Sequence, residues 1–269
     1  MKRKGRKEKN SATFGDDLEY ERRFLLWSNA DFFLQEAYKT LRTNVNFALT
    51  DAEGCKVIAV TSSLQHEGKT ITACNLGMSL AELGKIVLLI DSDLRRPKLG
   101  NLLETGAKDG LTNILVDESL LEEATASYDD NKNLWVISSG NIPPNPSELL
   151  SSMRMKRLLG DLKQHYDYII LDTPPVNMVT DALVLSDQVD GMLFVVKANQ
   201  SEKGSVIHAI EQLEYANVKV LGTVLNGVSQ GGGLGYKRYG YSRYGYSRYG
   251  YSRYGYSSRI SSKNTGDSA

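Results

Sequence analysis

The sequence predicts an α/β protein: a doubly wound, mainly parallel sheet flanked by helices, followed by a disordered C-terminal tail. Three observations point there. Apolar runs bounded by turn residues alternate with helical segments five times, the pattern of parallel strands joined by crossover helices. Between Val57 and Asp91, the first two such runs enclose a loop ending in Gly68-Lys69-Thr70 at the mouth of a helix. Finally, Asp91 closes VLLI with Asp93 two residues on, and Asp172 closes YDYIIL. In an open α/β sheet the carboxyl ends of the strands are where ligands bind.

Taken in order, ADFFLQEAYKTLRTNVNFAL between Asn29 and Leu49 places Phe33, Ala37, Leu41, Val45 and Ala48 at helical spacing, with Asp31 near the start. Glu36, Lys39 and Arg42 are expected on the opposite, polar side. The strand at Val57 leads into the loop and an amphipathic helix, and VLLID returns to the sheet. Short helices are expected over 111–116 and 119–124, and LWVIS (134–138) reads as a buried strand. After Pro143, Pro144 and Pro146, Ser147 is the expected N-cap of a helix running to about His165, with Glu148 in its first turn. YDYIILDTPP (166–175) is the strand carrying Asp172, and Pro174-Pro175 blocks a helix there. A strand at 192–198, a helix at 204–216 and a strand at 218–228 complete the core.

The loop residues Ser63, Glu67, Gly68, Lys69 and Thr70 are the candidate nucleotide-binding set. Free N–H groups and the positive end of a helix both favour an anion. Lys69 is placed to reach the β- and γ-phosphates, and the Thr70 hydroxyl to ligate Mg²⁺. The consensus asks for glycine where this chain has Ser63. Asp91, Asp93 and Asp172 supply the carboxylates that phosphoryl transfer needs, one to hold the metal and another to take a proton. Arg95 and Arg96 stand beside this site. Asn226, after the last strand, is a candidate purine contact. The fold class is therefore P-loop NTPase-like, with ATP and Mg²⁺ as the expected cofactors.

The formal net charge of zero conceals an asymmetry. Residues 1–10 carry six Lys/Arg and one acid, residues 230–269 seven and one, so 11–229 hold 19 basic and 30 acidic groups. An acidic body between basic ends bears on partners rather than on fold. The first ten residues read either as a solubilising tail or as attracted to an anionic membrane surface. They lack the apolar core of a signal peptide, and no apolar run reaches the ~20 residues that cross a bilayer. Two cysteines without metal-ligand spacing, Cys55 and Cys74, suggest a reducing, cytoplasmic setting.

From Gln230 the composition changes. GGGLG is a hinge, and YGYSR then recurs at 239–243, 244–248 and 249–253, with YGYSS at 254–258. Nine tyrosines fall in the twenty-one positions from 236 to 256. Three expected segments follow: a basic one over 1–28, a nucleotide-binding domain over 29–229 and a flexible tail over 230–269. The tail admits three readings: nucleic-acid binding through stacked aromatics and arginines, low-complexity adhesion, or a set of phosphoacceptors. The third accounts for tyrosine in place of phenylalanine and for a phosphoryl-transfer site on the same chain, and no nucleic-acid partner is expected. The candidate acceptors are Tyr236, Tyr239, Tyr241, Tyr244, Tyr246, Tyr249, Tyr251, Tyr254 and Tyr256.

VTSSLQHEGKT, VLLIDSDLRRP, IPPNPSELLSS, YIILDTPPV and the tyrosine cluster together resemble the bacterial tyrosine kinases of the P-loop type. They are most similar to the separate kinases found beside capsule and exopolysaccharide genes in Gram-positive bacteria. The resemblance covers roughly Phe33 to Tyr256. It implies ATP-dependent phosphorylation of the C-terminal tyrosines in trans and regulation of polysaccharide synthesis. Lys69 and Thr70 match the first Walker motif, Asp91 and Asp93 a second acidic motif, and Asp172 the Walker B acid. One of Asp91 and Asp93 is expected to activate the tyrosine hydroxyl, Asp91 by preference, with Thr70, Asp93 and Asp172 about the metal. Glu36-x-x-Lys39-x-x-Arg42 resembles the family's ring-forming motif, with Lys39 a departure from arginine. The family further implies a membrane-spanning adaptor, a cognate tyrosine phosphatase, other protein substrates and a cytoplasmic place at the inner face of the membrane. The rival reading is a partitioning-type ATPase, which places a lysine five residues before Lys69; here that position is Leu64.

Overall fold

The computed structural model describes residues 18–26, 30–128 and 133–228. The basic run at 1–10 and the tyrosine repeats lie outside the described residues. Seven strands form one sheet: β1 (Lys56–Ser62), β2 (Val87–Asp91), β3 (Thr125–Ser127), β4 (Leu134–Ile137), β5 (Tyr168–Asp172), β6 (Gly191–Lys197) and β7 (Val220–Asn226). Their order is β3-β4-β2-β5-β1-β6-β7. Every pairing is parallel except that of β3 with β4. The expected doubly wound architecture is present. The short antiparallel edge strand β3 is an addition, too brief and too polar to show a period.

The strands β1, β2 and β5 are almost wholly buried, because helices cover both faces of the sheet. One core layer gathers Val57, Leu88, Ile90, Ile169, Leu171 and Phe194 with the later helices. The other gathers Ile58, Val60, Leu89, Ile170 and Val195 with α1 (Phe32–Ala48) and α2 (Lys69–Ala81). The remaining helices are α3 (Leu99–Leu102), α4 (Leu111–Ile114), α5 (Leu121–Ala124), α6 (Pro146–Leu150), α7 (Met153–Leu162) and α8 (Lys203–Tyr215).

Four expectations change. The helix α2 is not amphipathic: Thr70 and every residue from Thr72 to Ala81 are buried, since α1 and Leu25 cover the side away from the sheet. Asp31 does cap α1, accepting from Phe33 N. The buried residues of α1, however, are Tyr38 and Val45, with Leu49 just beyond; Phe33 and Ala37 are exposed. The single helix expected after Ser147 is two. Asn145 stands before α6, its side chain donating to Glu148 rather than capping, with Pro146 at the first position, and Ser152 caps α7 by accepting from Met155 N. Ser147 instead donates to Asp181 at 2.6 Å. Lastly, Leu25, inside the segment expected at 1–28, is fully buried in the core.

Candidate active site

Parallel register does the assembling. Val60 of β1 pairs with Asp172 of β5, and Asp172 pairs with Asp91 of β2. Three adjacent strands therefore end level, and the loop after β1 joins α2 beside the two acids. Gly68 at that junction has φ 94°, and a Cβ there would meet the Asn226 amide nitrogen at 1.9 Å. A side chain would need both a left-handed backbone and that space.

The loop is braced by its own side chains. Ser63 Oγ donates to Glu67 Oε1 at 2.8 Å, and Leu64 N donates to Oε2 at 2.8 Å. Ser201, arriving from beyond β6, donates to the same carboxylate. The Asn226 amide donates to Glu67 O at 3.1 Å and accepts from Gly227 N at 2.8 Å. Ser63, Glu67 and Asn226, read from sequence as cofactor contacts, thus brace the loop with their side chains. Asn226 uses one amide hydrogen and one lone pair in these bonds. The serine in place of the consensus glycine is explained as a partner for Glu67.

Lys69 Nζ lies 3.1 Å from Asp93 Oδ2, with the side chains only 13% and 7% exposed. Burial alone would lower the lysine pKa. Asp172, Asp93 and Asp91 outweigh that and raise it, so Lys69 stays charged. Asp91 Oδ1 accepts from Asp93 N, and Oδ2 from Lys98 N and Leu99 N at 3.1 and 3.0 Å. Burial first, then the charge of Asp172, pushes Asp91 up to about 8. Asp172 is stranded: both oxygens are buried with no hydrogen bond of ordinary geometry. Burial pushes it up to about 6 against the opposing pull of Lys69 and the neighbouring Thr70 hydroxyl.

A buried carboxylate without a donor fits a cation as its partner. The oxygen-only set Thr70, Asp93 and Asp172 suits the hard Mg²⁺ ion. Both raised acids keep protons in the folded state that the unfolded chain has released. Stability from this source is complete below the unfolded carboxylate pKa and is lost as pH rises through about 6 and then about 8. The thermal midpoint of EDTA-treated protein should therefore fall from about pH 4 to about pH 8, most steeply below about 6 where both acids contribute. Saturating magnesium nucleotide should flatten that fall. A midpoint independent of pH in calorimetry would contradict the assignment.

Arg95 is not a free cation at the phosphate site. Its guanidinium bonds Asp181 at 2.8 and 3.0 Å and Ser147 at 3.2 Å, and Asp181 is fully buried. Arg96 remains at the mouth, donating to Gln65 at 2.6 Å. Arg42, expected on the exposed face of α1, turns inward to Ser79 and lies 3.7 Å from Glu82. Only Glu36 and Lys39 stay outside, paired at 2.8 Å. Asp181 and Ser201 were not legible from sequence, because each meets its partner only across the fold. A polar cavity of about 290 Å³ has Asp91 in its wall together with Pro97, Lys98, Thr105, Lys108 and Ser139.

A family model described as an AAA domain matches residues 55–221. Tyrosine-protein kinase YwqD of Bacillus subtilis (strain 168) is 42% identical over 192 residues, covering 71% of this chain and 80% of that protein. This chain belongs to the bacterial tyrosine-kinase family. Tyrosine-protein kinase CpsD of Streptococcus agalactiae serotype Ia is 36% identical, covering 73% of this chain and 83% of that one. The kinase domain of Escherichia coli tyrosine kinase ETK superposes with a TM-score of 0.69 at 34% identity, over 74% of this chain and 77% of that one. The MinD cell division protein of Aquifex aeolicus shares the fold at a TM-score of 0.53 and 26% identity, over 65% of this chain and 70% of that one. The fold of the core is thus common to both groups, and the stronger likeness is to the kinases. No helix among the described residues of the kinase is long and apolar enough to cross a membrane.

Proposed function

We propose that this tyrosine kinase transfers the γ-phosphoryl group of ATP to the C-terminal tyrosines, Tyr236 to Tyr256, of a neighbouring copy. The observation that carries this is the convergence of Lys69, Asp91, Asp93 and Asp172 on one sheet edge, with Asp91 in the wall of a polar cavity, in a chain that carries nine closely spaced phenols over 236–256. A phenol has a pKa near 10, so a carboxylate raised by burial is a better-matched proton acceptor than an ordinary one. The ionised form of Asp91 would be favoured with Mg²⁺ bound beside Asp93 and Asp172, and the phenol proton passes to that carboxylate as the phenol oxygen bonds to the γ-phosphorus. The bond from that phosphorus to the β-bridging oxygen breaks, and ADP leaves. Lys69 offsets the charge on the transferred group. Thr70 and Asp93 would hold Mg²⁺ with Asp172 ordering its water shell; the ion supplies charge neutralisation on the β- and γ-oxygens.

Intact-mass analysis after incubation with ATP and Mg²⁺ tests the acceptor. Full-length kinase should gain mass in steps of one phosphate, and a chain truncated after Gly235 should not. The truncated enzyme, supplied with full-length Lys69→Met protein, should phosphorylate that protein, which requires transfer between copies. Nucleotide hydrolysis with every tail phenol unmodified would overturn the reading. Glu36 and Lys39 with the exposed Phe33 and Phe47 of α1 are the surface offered to a second copy in a homo-oligomeric ring, while Arg42 supports it from within. Each phosphotyrosine adds about −1.5 to −2 charges, so successive transfers would turn a basic tail acidic and release it from the acidic body. Family membership supports the rest of the setting: the cytoplasmic face of the membrane, a separate membrane-spanning adaptor, a cognate phosphatase, further protein substrates and a role in capsular or exopolysaccharide synthesis.

A further inference from the structure

Residues 18–26 make contacts that neither nucleotide binding nor phosphoryl transfer requires. Helical residues 18–22 lead into a turn that seats Leu25 in the core. Leu26 N donates to Asn75 Oδ1 at 2.8 Å, and Asn75 Nδ2 donates to Phe24 O at 2.7 Å. Asn75 is fully buried on α2, the helix that Lys69 begins. The same segment grips the chain after Asp93. Glu21 pairs with Lys98 at 3.0 Å. Arg22 donates from Nε to Leu102 O at 3.1 Å and from Nη2 to Asn101 O at 2.6 Å, and it pairs with Glu104.

These grips fall on the two ends of α3, which is only four residues long. A helix that short has no stability of its own, and the carbonyls at its end have no partners within it. Arg22 supplies those partners at Asn101 and Leu102, and Glu21 holds Lys98, the residue before the first turn. The opposite end of this short helix is the part that touches chemistry: Lys98 N and Leu99 N are two of the three donors to the Asp91 carboxylate. We propose that Glu21 and Arg22 are positioning residues for tyrosine phosphorylation. They clamp α3 from both ends so that its leading N–H groups hold Asp91 in the orientation that accepts the phenol proton. This rests on the reading of Asp91 as the proton acceptor.

The test uses the full chain with ATP, Mg²⁺ and a synthetic peptide of YGYSR repeats as acceptor. Amide hydrogen exchange at Lys98 and Leu99 is followed in parallel. Arg22→Ala should lower kcat about tenfold, the scale of a misdirected catalytic group, while KM for ATP stays within about twofold. Exchange at the two amides should quicken about tenfold as the local opening becomes easier. Glu21→Lys should act in the same direction, and Glu21→Lys combined with Lys98→Glu should restore kcat to within about twofold, because the donor to Asp91 is the backbone of residue 98. Unchanged kcat and unchanged exchange in Arg22→Ala would overturn the proposal, as would a raised KM for ATP at constant kcat. Should Arg22→Ala fail to fold, the half-buried Glu21–Lys98 swap decides alone. Asp91→Asn separates the two readings. Wild-type kcat in that variant would remove Asp91 as the acceptor, whereas the amide exchange rates of the Glu21 and Arg22 variants report on the clamp regardless.

Discussion

Asp172→Asn is expected to yield a more stable protein and a nearly inactive kinase. The wild-type carboxylate is buried without a hydrogen-bond donor and stands in register with Asp91 on the neighbouring strand. Exchanging it for the neutral isostere removes the cost of burying a charge and its repulsion of Asp91, which outweigh the lost attraction to Lys69 and the Thr70 hydroxyl. At pH 8 the gain should be about 1–2 kcal/mol, in the range of an uncompensated polar group, which raises Tm by about 4 °C in a domain of this size. At about pH 3.5 the gain should nearly vanish. Asp172 is pushed up to about 6, so the cost of keeping its proton in the folded state persists until the unfolded carboxylate, with an ordinary pKa of about 3.9, is protonated as well. Activity should nonetheless fall about 100-fold, the loss typical of groups that order a metal's ligand shell. Calorimetry at the two pH values, paired with peptide phosphorylation rates, checks both halves. A lower Tm at pH 8 would mean that Asp172 has stabilising partners in the protein itself.

Lys69→Met is expected to lose both activity and stability, with the stability loss strongly dependent on pH. The ammonium is the cation held against Asp93, and Asp172 and Asp91 also raise its pKa. Removing it leaves three buried acids without their counter-charge, worth about 3–5 kcal/mol when a buried pair is broken. The acids can escape that penalty by staying protonated. The loss should therefore be small near pH 5 and largest above pH 8, the steeper version of the wild-type decline. Tyrosine phosphorylation should fall about 10³-fold, the scale of deleting a preorganised charge from a transition state. Denaturant titrations across pH read the first effect and intact mass the second. Full tail phosphorylation by a folded Lys69→Met protein would remove Lys69 from the phosphoryl-transfer machinery.

The parts legible in the linear chain are those whose signal is local. Strand–helix alternation foretold the parallel sheet. Gly68-Lys69-Thr70 after an apolar run marked the loop, and acids closing VLLI and YDYIIL marked Asp91 and Asp172. Arg42 shows where such reading stops. Helical spacing placed it beside Glu36 and Lys39, but α1 rotates to bury Tyr38, Val45 and Leu49 against α2, and that rotation carries Arg42 inward to Ser79. Ser147 shows the same limit: its residue type and place suggest a helix cap, while its hydroxyl bonds an aspartate 34 residues away.

Residue type and order alone determined that this chain builds a nucleotide loop at the end of a parallel sheet, because strand ends, helix mouths and turn glycines are dictated over a few neighbouring residues. Only the folded molecule decided which side chains are free to act. Glu67 braces, Arg95 is held by Asp181, and Leu18 to Leu26 lies against the helices that position Lys69 and Asp91. Each of those assignments depends on a buried charge or amide finding its partner across tens of residues, and the energy of leaving it unpaired has no trace in local sequence.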